Sequence, residues 1–155
     1  MPVLASPDLG QIHFLEKDVI SFPEGVPAFE HLHTFLLVQP DEFAPFMFLV
    51  STDSPATRFI CLPICLIEPD YHFELDREEG ARTGFEAGAY PVAAPGGPLV
   101  LAVTTIQETA PATVNLASPI LVDAERRLGA QLILSGTAYS HVAPLKTRGR
   151  LEGAC

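Results

Sequence analysis

Ala112-Thr113-Val114-Asn115-Leu116-Ala117-Ser118-Pro119-Ile120-Leu121-Val122-Asp123 is the stretch whose reading decides the fold. Val114 and Leu116 alternate with Thr113, Asn115 and Ala117, the period of a half-buried strand. Ser118-Pro119 interrupts it, because proline has no N–H for a ladder and belongs at a strand start, an edge or a bulge. Ile120, Leu121 and Val122 then resume an apolar run. Asparagine is disfavoured in strands, and the Asn115 side chain suits a bond to nearby backbone where the ladder breaks. Apolar runs flank the stretch at 99–106 and 132–134. The pattern predicts a bent strand pair between two buried strands as the spine of the fold.

A chain of 155 residues is long enough to bury one continuous core. With 48% apolar residues it is not a disordered chain. Fifteen prolines and eleven glycines call for many turns and short elements, so the expected class is mostly β, in a single domain with one or two short helical turns. The domain is expected to span 1–145, and 146–155, with Lys146, Arg148 and Arg150, to be a basic flexible tail. Three cysteines make no paired framework, residues 1–10 lack the pattern of a secretory signal, and no uncharged run approaches the roughly 18 residues of a membrane span. These features predict a cytoplasmic protein with reduced thiols and no membrane association.

The net charge of −10 is unevenly distributed. Residues 1–125 carry eighteen acidic and four basic side chains, whereas 126–155 carry one acidic and five basic. Nucleic acid binding needs clustered Lys and Arg to displace counterions, so the acidic body argues against direct nucleic acid contact and favours a basic partner.

Along the chain, 11–15 and 19–22 read as short strands around the charged turn Glu16-Lys17-Asp18. In Phe22-Pro23-Glu24-Gly25-Val26-Pro27-Ala28-Phe29-Glu30, prolines bracketing a glycine predict a rigid turn, with Pro27 opening a short helical turn through Leu32. Runs 34–38 and 46–50 are expected strands, and 58–67 is an apolar stretch broken at Pro63. Residues 68–76 alternate: if extended, Pro69, Tyr71, Phe73 and Leu75 face one way, and Glu68, Asp70, His72, Glu74 and Asp76 form an acidic ridge on the other. Residues 80–98, rich in Gly, Ala and Pro, read as a long surface loop. Residues 99–106 read as a strand covered on both faces, followed by a hairpin joining 113–123 to 130–135 through 124–129.

This ordered set of motifs resembles the FliW family of flagellar assembly factors. The matching residues are Phe22-Pro23-Glu24-Gly25-Val26-Pro27-Ala28-Phe29-Glu30, Pro45-Phe46, Asp70-Tyr71-His72-Phe73-Glu74-Leu75, Thr113-Val114-Asn115-Leu116-Ala117-Ser118-Pro119-Ile120 and Gly129-Ala130-Gln131, spread over about residues 10–145. Ala28 stands where the family more often has glycine, Val50-Ser51 replaces a usual Gln-Ser pair, and 80–98 lacks the expected helical character. The resemblance implies an antiparallel β pseudo-barrel without catalysis or cofactor. It further implies that the protein binds the translational regulator CsrA and flagellin, and so relieves CsrA repression of flagellin mRNA translation.

Other chemistry has less support in the residues. Cys61 and Cys65 are separated by Pro63 and have no second ligand pair at zinc spacing, so they read as small buried apolar groups. Calcium on Glu68, Asp70, Glu74 and Asp76 is disfavoured because a strand splays carboxylates that a calcium loop would curl inward. No Gly-x-Ser-x-Gly elbow or phosphate-cradling glycine loop is present. A small β-barrel ligand-binding module or enzyme, with a pocket at the barrel mouth, is the competing class. The residues expected to meet a partner are Glu24, Glu30, Glu68, Asp70, Glu74, Asp76 and Asn115, with Asn115 expected first as a structural amide; no catalytic, cofactor or metal residues are expected.

Overall fold

The elements follow in the order β1 (Val3–Ser6), β2 (Gly10–His13), a 3-10 turn (Glu16–Asp18), β3 (Ile20–Ser21), β4 (Thr34–Val38), a 3-10 turn (Asp41–Phe43), β5 (Met47–Ser51) and β6 (Arg58–Pro63). A 3-10 turn (Ile64–Leu66), β7 (His72–Leu75), the helix α1 (Arg77–Thr83), β8 (Gly88–Pro91), β9 (Leu99–Thr105), β10 (Thr113–Val114), β11 (Ile120–Asp123), β12 (Leu128–Gln131) and β13 (Ala143–Pro144) complete the chain. The structure is a computed structural model that describes residues 2–91 and 96–145. The expected basic tail at 146–155 lies outside the described residues.

Seven strands close on themselves in the order β11-β12-β3-β4-β5-β6-β9, with β9 pairing back onto β11. Every neighbour is antiparallel except β12 and β3, which run parallel where Leu128 meets Ser21. The expected β pseudo-barrel is therefore the observed architecture.

Its strands are apolar on both faces because both faces are covered. Ile20, Phe35, Leu49, Cys61, Leu101, Ile120 and Val122 meet inside the barrel. The outward residues of the same strands enter two further cores. Leu36, Phe48 and Val50 lie under the β1–β2 hairpin, packed with Leu4, Ile12 and Phe14. Leu62, Val100, Ala102, Leu121 and Ala130 lie under the β7–α1–β8 unit, packed with Tyr71, Phe73, Leu75 and Phe85. The expectation that 99–106 is covered on both faces holds for β9, where Leu101 points inward and Val100 and Ala102 outward.

The stretch 112–123 runs antiparallel to β9 in two pieces. Val114 lies opposite Thr104 and Ile120 opposite Leu101, so five residues, 115–119, stand where β9 has two. This wide bulge keeps almost all its polar backbone engaged, as buried groups require. The Leu116 amide donates to the Ser140 carbonyl, the Ala117 carbonyl accepts from Leu134 and the Pro119 carbonyl from Leu132, each at 2.9 Å. The buried Tyr71 hydroxyl donates to the Leu116 carbonyl at 2.5 Å, and Gln131 Nε2 to the Ser118 carbonyl at 3.0 Å. Asn115 Oδ1 accepts from the Ala117 and Ser118 amides, both at 3.1 Å. Asn115 thus closes the break in the ladder, the structural role expected of it.

Several sequence expectations are corrected. Residues 68–76 are not one strand: Glu68–Asp70 form a turn closed by the Tyr71 amide on the Glu68 carbonyl at 3.0 Å, and only β7 is extended. Asp76 leaves the strand altogether and caps α1. The segment 80–98 is not a featureless loop, since α1 enters it and β8 pairs with β7. Pro27 opens a β-turn, not a helical turn. The short strands expected at 11–15 and 19–22 are present as β2 and β3 around the Glu16–Asp18 turn, but they join different sheets, β2 pairing with an unforeseen β1 and β3 entering the barrel. Cys61 is buried in the barrel, but Cys65 is half-buried on the Ile64–Leu66 turn and is disulfide-bonded, against the reading of wholly reduced thiols.

Candidate functional site

A recess of about 770 Å3 lies between the loop after β3, the β7–α1 unit and the segment that follows β12. Its first wall is built by the proline- and glycine-rich turn. Phe22 is wholly buried, and its ring packs edge-on to Phe35 at 5.0 Å. The other side of that ring lies against Gly129, where an added Cβ would stand 2.4 Å from the ring carbons, so a side chain there would expel Phe22. Gly25 donates its amide to the Phe22 carbonyl at 2.8 Å and adopts φ +69°, with the Glu30 backbone only 2.6 Å from the place a Cβ would occupy. These two contacts hold Glu24 and Glu30 at the rim.

Val26, Pro27, Ala28 and Phe29 then make a reverse turn, with the Phe29 amide donating to the Val26 carbonyl at 2.6 Å. Pro27 at the second position and φ +73° at Ala28 are the marks of a type II turn, whose third position favours glycine. A glycine at this position would adopt the turn without strain. Glu30 Oε1 accepts from the Ala28 amide at 3.2 Å, which steadies the strained residue.

The second wall is β7 and α1. Glu74 projects from β7 with an exposed side chain. Asp76 Oδ1 accepts the Glu79 amide at 2.8 Å, and Glu79 Oε1 accepts the Asp76 amide at 3.3 Å, a reciprocal cap that starts the helix. Arg82 in the last turn reaches across the recess and donates to Glu24 at 2.8 Å. Both partners are 48% exposed, so this pair adds little to stability. Six carboxylates, of Glu24, Glu30, Glu74, Asp76, Glu78 and Glu79, therefore line a recess whose lysine and arginine complement among the described residues is Arg82 alone.

Of the residues expected to meet a partner, Glu24, Glu30, Glu74 and Asp76 are brought together. Glu68 and Asp70 are exposed on the turn before β7 and do not line the recess. Asn115 lines a smaller neighbouring hollow of about 300 Å3 with Val26, Pro27, Phe59 and Val103. Glu78, Glu79, Arg82 and Ile133 went unforeseen. The sequence signal for the first three was the spacing Asp76-Arg77-Glu78-Glu79, a helix start that the glycines and alanines downstream obscured. Ile133 had no such signal, being 61% exposed within a run that reads as apolar core.

The shifted acidities lie elsewhere. Burial pushes the Cys61 thiol up to about 12, and burial followed by the neighbouring Tyr139 raises Tyr71 above the usual phenol range. At the β11–β12 turn a hydrogen bond from Arg126 is the main cause that holds Asp123 below the ordinary carboxylate range. Among the described residues no three His, Cys, Asp or Glu side chains are placed to hold a metal ion. The carboxylates of the recess offer an extended negative field instead. No helix among the described residues is long and apolar enough to cross a membrane.

Fold and recess define a small closed β-barrel protein, filled inside, whose outer surface carries a carboxylate-lined cleft. The family model described as FliW protein matches residues 4–145. A flagellar assembly factor FliW of Caldanaerobacter subterraneus subsp. tengcongensis is 37% identical over 138 residues, covering 88% of this chain and 87% of that protein. The corresponding protein of Shouchella clausii is 32% identical over 142 residues, covering 92% of this chain and 93% of its own length. A crystal structure of the flagellar assembly factor FliW superposes with a TM-score of 0.79 at 28% identity, covering 94% of this chain and 97% of that one. The chain belongs to the FliW family of flagellar assembly factors.

Proposed function

We propose that this chain is a non-catalytic flagellar assembly factor that works in the cytoplasm by binding CsrA and flagellin in exchange. In this reading flagellin holds the factor until the flagellin is exported; the freed factor then binds CsrA and lifts its repression of flagellin mRNA translation. The observation that carries the reading is the cleft of six carboxylates, which complements a small basic RNA-binding partner and repels RNA phosphates. Glu24, Glu30, Glu74 and Asp76 are the proposed contacts, with Glu68 and Asp70 adding to the field from the neighbouring turn. Asn115 borders the same face. The competing ligand-binding or enzyme reading has less support, since side chains fill the barrel interior.

The test is a pull-down of purified CsrA and flagellin on the immobilised chain, followed by on-rates at low and high salt. Capture of both at micromolar concentration is expected. Reversal of Glu24, Glu30 and Glu74 to lysine should slow association with CsrA about tenfold and flatten its salt dependence, with a smaller effect from Glu68 and Asp70. Capture of neither protein sinks the reading.

A further inference from the structure

The wall of the cleft formed after β12 is an open sheet edge. β3 covers that edge of β12 only where Leu128 lies opposite Ser21. β12 ends at Gln131, but the Leu132 and Leu134 amides continue its alternation, donating at 2.9 Å to Pro119 and Ala117 of the bulge before the chain bends at Ser135. Strand alternation turns the backbone of Ile133 the other way, toward the side β3 has left. Among the described residues the Ile133 amide and carbonyl have no hydrogen-bond partner, and neither do those of Ser135. Both residues line the cleft, and the Ile133 side chain is 61% exposed. Unpaired strand edges are templates for another chain, and most proteins cover them.

We propose that this edge, residues 131–135, receives an extended basic segment of a partner protein by strand addition. Main-chain hydrogen bonds to Ile133 and Ser135 would hold the segment in register. Charge complementarity selects its composition: lysine or arginine side chains would face Glu24, Glu30 and Glu74, which line the same cleft. The hollow beside Ile133, lined by Val26, Pro27, Phe59 and Val103, accepts an aliphatic side chain from the same segment. Alternate residues of a strand point to opposite faces, so a sequence alternating basic and aliphatic residues satisfies both surfaces at once.

The probe is a fluorescein-labelled octapeptide of alternating lysine and valine, titrated with the full chain and read by anisotropy. A second peptide of the same sequence is N-methylated at alternate residues, which removes strand donors but keeps charge and side chains. The parent peptide should bind, and the methylated one should bind at least tenfold more weakly. Ile133→Pro removes the free edge donor without costing a native bond, because the Ile133 amide has no partner among the described residues. It should weaken the parent peptide at least tenfold while leaving the thermal midpoint within about 2 °C, whereas Ile133→Thr, which keeps the N–H, should retain most of the binding. Absence of binding by the parent peptide, or equal binding of both peptides to the unaltered protein, overturns the proposal.

Discussion

The bulge at 115–119 and the cleft wall at 131–135 face each other across one set of hydrogen bonds, yet they end up in opposite states. In the bulge an interrupted strand is sealed: Asn115, Tyr71, Gln131 and the carbonyl of Ser140 each satisfy a group that the broken ladder released. Across those bonds, Ile133 and Ser135 turn their remaining polar groups toward the cleft. The bulge is buried, and its polar groups must find partners within the protein. The wall is wet, and its groups can wait for a partner from outside. Irregular backbone serves rigidity in the first place and leaves room for recognition in the second.

The contrast predicts unequal responses to substitution. Asn115→Ala should have the largest effect, about 2–4 kcal/mol in urea unfolding, because the Ala117 and Ser118 amides would be left buried without an acceptor. Asn115→Asp keeps an acceptor and should recover most of the loss; a cost under about 1 kcal/mol for the alanine variant would mean that the bulge does not depend on this side chain. Tyr71→Phe should follow at about 1–2 kcal/mol, the worth of one buried bond to Leu116, with the aromatic packing preserved.

On the cleft side, Ala28→Gly should raise stability by up to about 1 kcal/mol, since glycine relieves φ +73° at some entropic cost in the unfolded chain. A fall in the thermal midpoint would refute the strain argument. Glu24→Gln and Glu74→Gln should each change stability by less than about 0.5 kcal/mol, whatever they do to binding. The smallest effect belongs to pH. The lowered pKa of Asp123 makes its contribution fully present above the ordinary carboxylate range and lost as pH falls through the lowered value. Asp123→Asn should therefore flatten part of the acid limb of a stability–pH curve by lowering stability slightly in the neutral region, and leave stability below the lowered value nearly unchanged.

How far the sequence could be read depends on the kind of signal. Strands β4, β5 and β9 were legible because their apolar runs are long and bounded by turn residues, and so was the β11–β12 hairpin, although its second strand is 128–131 and not the expected 130–135. The helix α1 was not, although Asp76 and Glu79 carried its start signal, because Gly80 and the glycines beyond it mimic a loop. The alternation at 68–76 misled for the opposite reason. Tyr71, Phe73 and Leu75 do enter the core, but a turn can present Tyr71 to it as well as a strand can.

From the sequence alone came a mostly β chain, one strand at 99–106 buried on both faces, a break at Ser118-Pro119 with Asn115 as its tie, and an acidic body. These properties follow from local pattern and composition. Tertiary structure alone decided that Glu24 and Glu30 meet Glu74, Asp76, Glu78 and Glu79 in one cleft, and that an isoleucine within an apolar run would stand on an open edge beside them. Both outcomes depend on where β3 ends and β7 crosses, and pairing between distant segments leaves no period in the sequence by which to read it.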